Sequence, residues 1–153
     1  MADDLYDRDY YAWTQTQAEA LRARRSGDNT LDYENLAEEV ETLGRSERRA
    51  CESQIENILA HLLLIEHVGG EAVAHWRHEV VGFRLELEAD LTPTLSAALP
   101  RELDRLYDRA LRRVSSKPGL TPVTAFPQAC PYGWDDVVGR GADWIPTPRS
   151  EEA

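Results

Sequence analysis

The chain is poor in the features that catalysis and membrane insertion require. Only two cysteines, Cys51 and Cys130, occur in 153 residues, and they form no Cys-x-x-Cys pair. A reduced, cytoplasmic protein without a disulfide is therefore the expectation. There is no Gly-x-Ser-x-Gly elbow and no glycine-rich phosphate loop, which removes the commonest nucleophile and nucleotide signatures. The longest apolar run, Leu62–Ile65, falls far short of the ~20 residues that span a bilayer. The acidic start MADDLYDRDYY lacks the apolar stretch of a secretory leader. Basic residues are scarce as well: 17 Lys and Arg stand against 28 Asp and Glu, a formal charge of −11. That balance excludes non-specific nucleic-acid binding, which needs net positive surface, and disfavours anionic lipid.

What is present is helical periodicity, with no convincing strand. Tyr10, Trp13, Thr14, Gln17 and Leu21 predict a helix from about Asp7 to Arg25, ended by the turn residues Gly27-Asp28-Asn29. Asp32 is a candidate N-cap for a second helix with Leu36, Val40 and Leu43 as its buried stripe. Gly44, just after that stripe, reads as a C-terminal stop, with Ser46 capping a third helix. The alternative is one helix running through Gly44, at a propensity cost of about 1 kcal/mol. Cys51, Ile55, Ile58, Leu62 and Ile65, widened by Leu59 and Leu63, form the cleanest apolar face, and Gly69-Gly70 ends it. A fourth helix carries Val73, Trp76, Val80, Phe83, Leu87 and Leu91. Thr92-Pro93 and then Pro100 open helical segments, the latter with Leu103, Leu106, Tyr107, Ala110 and Val114 inward. Residues 118–149 hold six of the eight prolines together with Phe126, Tyr132, Trp134 and Trp144.

These patterns predict an all-α fold. It is an antiparallel helical bundle of four to five helices in residues 1–117, with a Pro/aromatic C-terminal tail, residues 118–149, packed on it as part of a single domain.

Several stretches resemble one known family. They are LYDRDYYAWTQTQAEALR (5–22), LDYENLAEEVETLGRSERRACESQIENILAHLL (31–63), the His75-Trp76 pair, TPTL (92–95) and FPQACPY (126–132), in order and at similar spacing. With these the chain resembles the bacterial family catalogued as domain of unknown function number twenty-nine. The resemblance implies an all-helical, single-domain bacterial protein and carries over no activity and no catalytic residue.

Candidate chemistry is sparse. His61, His67, His75 and His78 lie within eighteen residues across one turn. Histidines converging in a bundle, with a carboxylate such as Glu38, could hold zinc or iron, an outline shared with the DinB-like bundles. Helical phase opposes this. His75 and His78 project away from the stripe of their helix and His67 is off its own, leaving His61 at a buried edge and the other three solvated. Glu34, Glu38 and Glu41 share an outward face, with Glu39 near the edge of the Leu36/Val40/Leu43 stripe, but no Glu-x-x-His motif accompanies them. Glu66 falls inside an apolar stripe, where it needs solvent, a cation or a raised pKa. Arg101, Arg105, Arg109 and Arg112 make a basic line on the last helix, a docking line for an acidic partner or for the Glu34/Glu38/Glu41 face of a second copy. The tryptophans read as core and tail anchors rather than a ligand cage.

The resulting expectation is a small acidic, non-enzymatic interaction or regulatory protein without a cofactor, acting through a protein partner or by self-association. A metal-binding bundle, possibly enzymatic, is the alternative. That alternative predicts stoichiometric metal in purified protein by elemental analysis; its absence removes the site.

Overall fold

Whether the chain stops or continues at Gly44 decides how its helices are counted. In the computed structural model, which describes residues 2–24, 31–119, 126–139 and 144–149, it continues. The helices are α1 (Ala2–Arg8), α2 (Tyr10–Ala23), α3 (Tyr33–Leu63), α4 (Val73–Asp90), α5 (Pro93–Ala98), α6 (Leu103–Ser115) and α7 (Trp134–Val138). A π-helical turn, Leu64–Val68, follows α3, and a 3-10 turn, Leu99–Glu102, precedes α6. Among the described residues every regular element is helical, as the periodicity predicts. The chain divides into two compact units, residues 1–50 with 91–98, and residues 51–90 with 99–153. The turn at Gly27-Asp28-Asn29 lies outside the described residues.

In the first unit, the helix expected from about Asp7 begins instead at Tyr10, and Asp9 separates it from a short preceding helix, α1. The Asp9 backbone leaves the helical region (φ −151°, ψ 83°) and its Oδ1 accepts the Ala12 amide at 2.9 Å, capping α2. Its Oδ2 accepts the Thr94 amide of α5 at 2.7 Å, so one buried carboxylate serves two helix starts. Burial opposes its ionisation, but the Ala12 and Thr94 hydrogen bonds outweigh that and hold the carboxyl below its ordinary value. Tyr6, Tyr10 and Trp13 join α1 to α2 through edge contacts at 4.8 and 5.4 Å. Asp32 caps α3 as expected, with the Asn35 amide 3.2 Å from its Oδ1. Thr92 likewise caps α5 through the Leu95 amide.

The expected Leu36–Val40–Leu43 stripe is not the buried one. Leu36 and Leu43 are 42% and 49% exposed, while Ala37 is fully buried and so is Gly44. The reason is close helix approach. A Cβ on Gly44 would stand 2.3 Å from Thr14 Oγ1 and 2.9 Å from Gln15 Nε2 of α2. Small residues therefore hold the contact line and the leucines flank it. Gly44 is a packing glycine, not a stop.

The second unit is an up-down-up arrangement of the second part of α3 with α4 and α6. Gln54 donates to Glu86 and His61 meets Glu79, the descending register of an antiparallel pair. Glu52 pairs with Arg105, Glu56 with Arg109 and Asn57 with Arg113, the ascending register of a parallel one. Ile55, Ile58, Leu59 and Leu62 of α3, Val80 and Leu87 of α4, and Leu106, Tyr107, Ala110 and Val114 of α6 are buried between them, the faces read from the sequence. The tail is tied on by polar anchors: Tyr107 Oη donates to the Pro127 carbonyl. Buried Arg84 donates to the carbonyls of Asp136 and Val137, at 2.8 and 3.0 Å, at the end of α7.

Replacing Gly44 by alanine tests the close approach. Gly44→Ala improves helix propensity by about 1 kcal/mol, yet the clash with Thr14 should cost more, for a net loss of about 1–2 kcal/mol in urea unfolding. The double variant with Thr14→Ala should recover much of that loss. A single variant that gains stability would refute the contact.

Candidate functional site

The richest set of polar groups lies in the second unit where α3, α4 and α6 meet. His61, one turn from the end of α3, places Nδ1 2.7 Å from the Asn57 carbonyl and Nε2 2.6 Å from Glu79 Oε2. The ring is thus held at both nitrogens, by a backbone carbonyl on one side and a carboxylate on the other. His75, one turn before Glu79 on α4, reaches its other oxygen at 3.4 Å. Burial opposes ionisation of Glu79. The His61 hydrogen bond and the positive charges of His61, His75 and Lys117 outweigh it and hold the carboxyl below its ordinary value. Lys117 lies 5.8 Å over the Trp76 ring, and the His61 ring meets Phe83 edge-on at 5.1 Å.

His67 departs from its expected solvated position. Its side chain is 8% exposed and faces Phe126 at 6.0 Å, and its buried Nε2 makes no hydrogen bond among the described residues. The π turn is the cause: its wider i→i+5 spacing carries residues after Leu63 around the axis, away from the phase of a 3.6-residue helix. Burial depresses the His67 pKa, against the pull of Glu66 and in concert with Arg149. Glu66 has the cation its position requires. Tyr132 Oη donates to its Oε2 at 2.6 Å and Arg149 Nε to its Oε1 at 3.0 Å. Burial and the Glu66 charge raise the Tyr132 pKa in turn, so the hydroxyl stays a donor.

The histidines do not gather. His61 and His75 meet across Glu79, His67 is enclosed beside Glu66, His78 is exposed on α4, and Glu38 is exposed on α3. Among the described residues no three His, Cys, Asp or Glu side chains form a group that could hold a metal ion. Cys51 is buried, Cys130 partly so, and both are free thiols.

The charged faces are partly occupied within the chain. Arg105 pairs with Glu52 and Glu102, and Arg109 with Glu56, so these two staple α6 to α3. Arg101 and Arg112 are exposed. Opposite Glu34, Glu38 and Glu41 stands Arg22 of α2. It donates to Glu41 and feels the charge of the other two, which raises its pKa.

Sequence reasoning passed over Glu79, Arg113 and Lys117, although His75-x-x-x-Glu79 at i, i+4 was a visible signal. It also passed over a second apolar face on α4. Ala74, His78, Val81, Leu85 and Ala89 follow one another at helical spacing and all are exposed, Leu85 to 61%.

Among the described residues, fold and site together define an all-α protein. The chain belongs to the family described as domain of unknown function DUF29, whose profile matches residues 5–143. It is similar to the crystal structure of an alpha-helical protein of unknown function (rru_a3208) from Rhodospirillum rubrum ATCC 11170. The TM-score is 0.74 and the identity 27%, covering 90% of this chain and 91% of that one. No curated protein matches it. Among the described residues no helix is long and apolar enough to cross a membrane.

The His67 geometry sets a pH dependence. A depressed pKa means that the native state holds the ring neutral, so its full stability is present above the free value of 6.5 and is lost as pH falls through the folded value. Unfolding free energy measured from pH 7.5 downward should decline below about 6.5, and His67→Gln should flatten that decline. An unchanged profile would show that His67 is not enclosed.

Proposed function

We propose that this chain is a small, acidic, non-enzymatic interaction protein of the bacterial cytoplasm, and that it acts by pairing the outer face of α4 with the same face of a second copy. The reading needs no cofactor. The observation that carries it is the exposed apolar line Ala74–Val81–Leu85–Ala89, on a helix whose opposite side already packs inward through Val80 and Leu87. A helix apolar on two sides has one more neighbour than its own unit supplies.

Charge and shape support a copy as the occupant. Arg77 and His78 lie toward the start of α4, and Glu86 and Glu88 toward its end, all exposed. An antiparallel pairing sets each basic end against the other copy's acidic end and brings Val81 opposite Leu85. Gly82 sits at the midpoint, exposed, and a Cβ there would meet nothing within 4 Å. Nothing inside the described chain requires that glycine, which costs about 1 kcal/mol in a helix; close approach of a second helix does. Two copies at −11 each repel, but charges beyond about 8 Å are screened at physiological salt. One helix pair buries less than the roughly 1,200–2,000 Å² of a standard interface, so reversible, micromolar association is expected.

Sedimentation of the full chain across the micromolar range tests this. Wild type should shift from monomer toward dimer, Leu85→Glu should remain monomeric, and Gly82→Ala should weaken the dimer while stabilising the monomer. Arg77→Glu should weaken pairing, and adding Glu88→Arg should restore it. A strict monomer at every concentration, or a dimer indifferent to Leu85→Glu, overturns the reading.

A further inference from the structure

Beside the His61–Glu79–His75 cluster the second unit holds a cleft of about 330 Å³. Its apolar surface comes from Ala60, Leu64 and Val114, all buried, and from Trp76 at one side. His61, His75, Arg113 and Lys117 supply its polar surface, with Glu79 the one carboxylate. We propose that this cleft binds a small organic anion. Its carboxylate or phosphate is held by Arg113 and Lys117, and its apolar or aromatic part lies against Trp76, Leu64 and Val114.

Charge makes the case for an anion. The whole chain carries −11, yet this concavity gathers two permanent cations and two histidines around one carboxylate. Both oxygens of Glu79 are held by the histidines, one each, and its single negative charge offsets at most one of the two cations, Arg113 and Lys117. Arg113 uses Nη2 on Asn57 at 2.7 Å; a guanidinium has five donors in a fork suited to a carboxylate or phosphate. Lys117 rests over the Trp76 ring on a flexible stem that can turn to a ligand. Two adjacent cations repel a metal ion. The polar rim on an apolar floor is the pattern of ligand pockets, which span roughly 300–1,000 Å³, and a volume at the small end favours a compact ligand. The cleft uses none of the residues on the outer face of α4, so it stands or falls independently of self-association.

Titration of the full-length chain, followed by calorimetry and by heteronuclear NMR, tests the proposal with four probes: benzoate, phenyl phosphate, benzyl alcohol and inorganic phosphate. At least one aromatic anion should bind saturably with a Kd of about a millimolar or tighter, shifting the Trp76 indole and the Leu64 and Val114 methyl signals. Benzyl alcohol, which lacks the charge, and inorganic phosphate, which lacks the ring, should each bind at least about tenfold more weakly. Lys117→Met and Arg113→Met should each weaken the aromatic anion about tenfold, while Arg49→Met, a cation removed elsewhere, should leave it unchanged. Lys117 is exposed and follows α6, so its variant separates lost binding from lost folding. The proposal is overturned if neither aromatic anion binds, if either control probe binds equally well, or if both cleft variants bind as wild type does.

Discussion

Helix α2 can lie close against α3 at residue 44 because that residue has no side chain, and the packing of the first unit depends on it. With Thr14 Oγ1 only 2.3 Å from where a Cβ would stand, any larger residue would push α2 away. The same close approach selects Ala37 for burial and sends Leu36 and Leu43 to the flanks. α3 itself runs unbroken from Tyr33 to Leu63. A glycine placed for packing and a glycine placed as a stop look alike in sequence; the facing helix is what distinguishes them.

Buried charge is handled by a consistent device. Asp9 is shared between the starts of α2 and α5, Glu56 is met by Arg109, Glu66 by Arg149 and Tyr132, and Arg84 by carbonyls at the end of α7. Each joins segments far apart in sequence. Exposed ion pairs contribute about 0–1 kcal/mol, so the Arg105–Glu102 pair on α6 serves register more than stability. The buried groups are different: removing one partner strands a polar atom away from water, at about 1–3 kcal/mol each. His67 alone leaves a ring nitrogen without a hydrogen bond among the described residues, so its stability contribution follows pH.

The helices were legible because burial imposes a period. The α6 face Leu106–Tyr107–Ala110–Val114, the α3 face from Cys51 to Ile65 and the caps Asp32 and Thr92 stand where spacing and cap chemistry put them. Helix phase failed at identifiable points. Asp9 left the helix to cap α2, so that α2 starts at Tyr10 behind a separate α1, and the π turn carried His67 from the solvent side to the inside. Neither effect has a periodic signature. The cleft was half legible: its histidines were singled out, but as a metal set, whereas Glu79, Arg113 and Lys117 give the place its character.

By itself the sequence determined an all-α chain, the buried faces of the second part of α3 and of α6, and a strongly negative charge, because these follow from local spacing and composition; the family followed from its motifs and their order. Only the tertiary structure decided that Gly44 is a contact, that Glu66 has its cation, that two of the four docking-line arginines are engaged within the chain, and that α4 keeps an apolar side outward. Each of those depends on which residues from distant segments come within a few ångströms of one another, and helical periodicity carries no record of that.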